Sequence, residues 1–216
     1  MHSADIPLKS WIRFAVICGF AAMVSYSLAI FAPLPEKASL ILAFAFGPFF
    51  MLGSLGLYRI GQFWKNSLSL QVGALFNIVG TAFATMMLVV QQTVFSFHDQ
   101  FKNADRGTVT AEQLKWIFRE VNSVQLGMDL AWDVFISAGT FCLALGYWGH
   151  PVMGKVIPAI GMLVGVLLLG FNMASFPVPP GEAGSIDFGP LVALWYLVVT
   201  IWILIKRKKL LDAASA

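Results

Sequence analysis

Six long apolar runs, separated by short polar stretches, constrain this chain more than any single motif. They occupy residues 11–32, 38–58, 67–97, 127–148, 156–176 and 189–205. A helix needs about 20 mostly apolar residues to cross the hydrocarbon core of a bilayer, and every run lies near or above that length. Charged residues make up only 12% of the chain, against 58% hydrophobic and a mean hydropathy of +0.78. Ordinary soluble domains carry about 25% charged residues, so the deficit points to lipid as the solvent. The expected fold is all-α: a polytopic transmembrane helical bundle of six spans, forming a single domain over residues 1–216. Lys9 and Arg13 at the start of the first run, and Ser27-Leu28-Ala29 near its end, resemble a signal peptide and its cleavage site. The apolar run continues to Ala32, however, and is read as a retained span.

Orientation follows from the Lys and Arg residues of the short loops. Lys9 and Arg13, Arg59 and Lys65, Lys155, and the "KRKK" of residues 206–209 fall on one side, assigned to the cytoplasm. Lys37, Lys102, Arg106, Lys115 and Arg119 fall on the other. An even number of spans then puts both termini in the cytoplasm. The net charge of +3 is spread over span ends with no basic face, which argues against a nucleic-acid partner.

The one sizeable loop, with the helix that follows it, covers residues 98–126 on the extracytoplasmic side. Thr110 followed by Gln113 matches a capping box. One continuous helix is therefore expected from Ala111 to Trp148, with its first turns standing outside the membrane. The fifth loop, "PVPPGEAGSIDFGP", reads as a stiff connection, either a lid or a plain connector. Gly47-Pro48 predicts a kink in the second helix.

On the fourth helix, Asn122, Gln125, Asp129 and Asp133 are spaced 3, 4 and 4, which keeps them on one helical face, and Ser137 and Thr140 continue the line. Intramembrane carboxylates face protein or water and are candidates for function. On the third helix Ser69, Gly73, Asn77, Gly80 and Ala84 form a small-residue face suited to close packing, with Gln91 on the same side. The fifth carries Gly161 and Gly165 as a GxxxG pair, with Asn172 further along. Counted from the span ends, Asp129 lies near the outer boundary and Asp133 about 6 Å deeper by the helical rise. Gln91, Gln92, Asn172, Tyr26 and Tyr196 come out in the same half, which predicts an outward-open pocket among helices three, four and five. Trp132, between the aspartates, either lines this pocket, where its ring face attracts a cation, or faces lipid.

Apart from Arg13, at the basic end of the first run, no Lys or Arg lies inside any span. A carboxylate without a cationic partner in low dielectric escapes its cost by taking a proton, staying wet or binding a cation. Asp133 is otherwise a neutral hydrogen-bonding strut between helices, and Asp129 a solvated carboxylate facing Lys102 or Arg106. His98 and His150 lie at opposite ends of their spans and cannot share a haem or complete a zinc site, and no mid-membrane lysine could form a retinal Schiff base. Cys18 and Cys142 sit within apolar runs as packing residues. No cofactor or metal is expected.

"LGMDLAWDVFISAGT", "GHPVMGKVIPAIG" and "FPVPPGEAGSIDFGPLVALWYL", within residues 122–205, resemble a family of uncharacterised bacterial multi-span integral membrane proteins. The resemblance implies a bacterial inner-membrane location and no particular activity. Three functions remain open. The first is binding of a cation, proton or small ligand around Asp133 by a carrier, sensor or channel-like subunit. The second is a structural or assembly subunit whose small-residue faces dock a partner or a second copy. The third is a lipid-headgroup enzyme using Asp129 and Asp133 as acid and base.

Overall fold

A computed structural model describes residues 6–102 and 110–215. Those residues form α1 (Leu8–Phe31), α2 (Glu36–Gln62), α3 (Leu68–Lys102), α4 (Ala111–Gly146), α5 (Val156–Ser175), α6 (Gly189–Ile205) and α7 (Arg207–Ser215). Among them no strand occurs beyond one isolated bridge, between His150 and Gly154. Five helices, α1 to α5, are long and apolar enough to cross a membrane; α6 joins them only when counted with α7, from which it is bent by 71°. The chain thus has the composition and architecture of an integral membrane bundle.

Helix ends outrun the apolar runs. α2 begins at Glu36, continues through Pro48 and ends at Gln62, and α3 extends to Lys102, five residues beyond its run. Hydropathy marks what the solvent tolerates, whereas a helix stops where its backbone is capped or broken. At α4 the capping box is formed: Gln113 N donates to Thr110 Oγ1 at 3.2 Å, and Thr110 N donates to Gln113 Oε1 at 2.9 Å. α4 then runs unbroken through Gly127 for 36 residues, about 54 Å at 1.5 Å per residue. α7 was not foreseen from its basic sequence. It forms because Leu210, 3% exposed, has an apolar surface to bury.

Small residues set the helix spacing. A methyl group at Gly73 would stand 2.6 Å from Leu143 N, and one at Gly80 would stand 3.1 Å from Ile136 N, so α3 and α4 touch backbone to backbone. Gly165 of α5 lies against the Ser137 carbonyl of α4, and Gly161 lies beneath the Trp195 indole of α6. Leu8, Ile60, Trp64, His150 and Leu210 line one crevice, which puts both described termini at the same end of the bundle, here the basal end. The ends of α3 and the start of α4 project furthest from it, at the distal end.

Candidate functional site

Asp133 is 9% exposed on α4, and Asp129, one turn nearer the distal end, is half-buried. Asn172 of α5 is buried near the Asp133 carboxyl, and its Nδ2 donates to the Leu168 carbonyl at 3.0 Å. Asp187, in the α5–α6 connection, stands close enough for its charge to act on both aspartates and on Tyr26 of α1. Asp187 is held there by its role at the start of α6, where Gly189 N donates to Asp187 Oδ1 at 2.8 Å. Residues 127–148, the span that carries Asp129 and Asp133, hold no Lys or Arg. The alternative partners, Lys102 and Arg106, lie outside the described side chains.

The crevice at this site is small. Asp129 and Asn172 line it with Leu126 and Leu130, and Phe176 to Pro179 of the fifth loop complete it, so it lies between α4, α5 and that loop, with neither α3 nor Asp133 in its wall. Its volume of about 10 Å³ is room for one water or one bare cation. An organic ligand would have to displace the loop. Among the described residues no group of three or more His, Cys, Asp or Glu could hold a metal ion.

The other residues of the stripe go different ways. Gln125 is half-buried and Asn122 is exposed, because α4 has no neighbour on that side so near its start. Gln91 is half-buried on α3, and no hydrogen bond joins it to Asp129 or Asp133 among the described residues. Trp132 faces inward. Its ring meets Phe46 edge-on at 6.3 Å, and its buried Nε1 has no hydrogen-bond partner. It belongs to an aromatic cluster in which Phe46 also packs on Tyr26, at 4.9 Å.

Deeper in the bundle lies a polar knot that the spacing rules did not assemble. Asn77 of α3 is fully buried and donates from Nδ2 to the Tyr196 hydroxyl at 2.6 Å and to Ser54 Oγ of α2 at 3.3 Å. The Tyr196 hydroxyl also meets Thr140 Oγ1 of α4 at 3.0 Å. Four helices are joined through two side chains. Tyr196 was expected at the level of the aspartates. It lies instead with Thr140, which is seven residues, about 10 Å, further along α4 than Asp133. Asn77 Oδ1 rests against Gly139 without a donor, and Ser137 Oγ, between the knot and Asp133, is likewise unpartnered.

At the basal end His150 is buried in the α4–α5 turn. Its Nδ1 accepts from Val152 N at 3.1 Å and Met153 N at 3.4 Å, so the ring is neutral with its proton on Nε2. Burial pushes the imidazole down to about 4. His98 packs edge-on against Phe118 at the other end, on the distal parts of α3 and α4. No protein-family model, curated protein or solved structure matches this chain.

Proposed function

We propose that this is a six-span protein of a bacterial inner membrane, both termini cytoplasmic, whose distal acidic site takes up a proton or a monovalent cation. It would serve as a carrier, sensor or channel-like subunit. One observation carries the reading: a buried carboxyl, Asp133, stands one helical turn from a half-buried one, Asp129, in a span, residues 127–148, that holds no Lys or Arg. Neutralising a buried carboxylate is what a proton or a small cation does, and the crevice beside Asp129 has room for nothing larger than a water or a bare cation. The test is a thermal-shift series on detergent-purified protein across Na⁺, K⁺ and pH, with Asp133→Asn as control. A ligand that binds only the folded state stabilises it by about 2.7 kcal/mol at a hundredfold excess over Kd. A cation- or proton-dependent shift in wild type that vanishes in Asp133→Asn supports the site. Equal responses in both proteins remove it.

The assembly reading has its own support. An apolar groove of about 470 Å³ opens between the distal parts of α3 and α4, lined by Val89, Val90, Val94, Leu114, Ile117 and Val121 among others. Phe95 and Trp116 are exposed on the same two helices. A monodisperse oligomer that Ile117→Glu dissociates, with cation response unchanged, would favour that reading.

A further inference from the structure

The basal end of the bundle carries a charge pattern that the distal site does not use. α7 leaves α6 at 71° and lies across the base, held by Leu210. Lys208 and Lys209 of this helix are exposed, and Arg207 is half-exposed. Lys9 and Arg13, on the first turns of α1, add to the same end, as does Arg59 on the last turn of α2. Among the described residues Asp212 is the only acidic side chain there.

Aromatic rings stand at the same height as these cations. The Arg59 guanidinium lies over the Trp11 ring at 5.5 Å, and Lys206 Nζ over the Trp202 ring at 5.0 Å. Trp64 and Trp148 are exposed at this end as well. Cations and amphipathic rings in one layer match the chemistry of a headgroup zone, where the rings sit at the boundary and the cations meet phosphate. A short basic helix lying in that plane is drawn to anionic lipid.

We infer that the basal surface formed by α7 and the adjoining ends of α1 and α2 binds the headgroups of anionic phospholipids. The net positive charge selects them over zwitterionic ones. α7 thereby docks the bundle on its own leaflet as well as closing the base.

The test exposes the full chain, purified in detergent, to equal amounts of phosphatidylglycerol and phosphatidylcholine, and counts retained lipids by native mass spectrometry. Wild type is expected to keep phosphatidylglycerol preferentially, and Arg207→Gln/Lys208→Gln/Lys209→Gln to lose most of that preference. No preference in wild type, or a preference intact in the folded triple variant, overturns the inference. Inorganic phosphate and polyphosphate are competitors. If either displaces phosphatidylglycerol at matched charge, the surface is a general polyanion site and the lipid reading fails. Should the triple variant not fold, Lys208→Gln and Lys209→Gln singly, at exposed positions, carry the same comparison. The measurement is independent of Asp133, so its failure leaves the distal site untouched.

Discussion

Replacing Tyr196 with Phe deletes one oxygen atom from the centre of the bundle and keeps the ring. The deleted hydroxyl is the 2.6 Å partner of Asn77 Nδ2 and the 3.0 Å partner of Thr140 Oγ1. After substitution Asn77 retains Ser54 at 3.3 Å, while the Thr140 hydroxyl loses its cross-helix partner. Counted as in a soluble core, two bonds at about 1 kcal/mol each and an orphaned hydroxyl give roughly 2–4 kcal/mol. In lipid the unfolded reference state also finds partners, and interhelical hydrogen bonds there average only about 0.6 kcal/mol, with a maximum near 1.7. The lipid value governs here, so the expected cost of Tyr196→Phe is about 1–3 kcal/mol. Thr140→Val removes one end of the shared bond, and the double variant should cost less than the sum of the singles by about 0.6–1.7 kcal/mol. Reversible unfolding in mixed micelles, titrated with a denaturing detergent, measures all four corners of the cycle. Strict additivity would show that the two hydroxyls do not share an interaction, and the knot would be refuted as a cross-helix device.

Other perturbations have equally definite outcomes. His150 is held neutral, with its pKa at about 4 against 6.5 when unfolded, so the unfolded chain binds the extra proton between those values. The stability tied to His150 is fully present above about pH 6.5 and is lost as pH falls towards 4, to about 3 kcal/mol in all. His150→Gln should flatten that acid limb in pH-dependent unfolding. Gly73→Ala pushes a methyl group against Leu143 backbone that cannot yield, and should cost about 1–3 kcal/mol. Gly127→Ala, with open space around it, should stabilise by up to about 1 kcal/mol in the same assay. Thr110→Ala removes the α4 cap at a cost of about 1 kcal/mol, visible as faster amide exchange over residues 111–114.

Much of the helical architecture was legible because a lipid solvent writes its demand directly into composition. The start of α4 was legible because a cap is local chemistry, set by Thr110 and Gln113 alone. The ends of α2 and α3 were not, since apolar runs stop where lipid contact stops and these helices continue past it. Spacing gave Asn77, Thr140 and Tyr196 an angle on their own helices, and angle does not reveal which helices are neighbours. The knot needs α2, α3, α4 and α6 together, which is tertiary information. Asn122 shows the converse: it shares the angle of Asp129 yet is exposed, because no helix packs beside that turn. Asp187 is one residue of the fifth loop in the sequence, and its approach to Asp129 depends on the path that loop takes.

The backbone contact between α3 and α4 has a mechanical consequence. Side chains can slide past one another by changing rotamers, whereas two backbones in contact at Gly73 and Gly80 have no such freedom. The pair therefore moves as one stiff rod, anchored at its basal end by Leu70 against Gly146. α3 is 35 residues, about 52 Å, in length, so a tilt of about 5° at the foot carries its tip through about 4–5 Å. Asp129 and Asp133 ride on that rod, Gly165 against the Ser137 carbonyl ties α5 and Asn172 to it, and Asp187 sits on the connection beyond. A small rocking of the lever would therefore change the distance from Asp129 and Asp133 to Asp187, and its projecting tip would magnify the same motion.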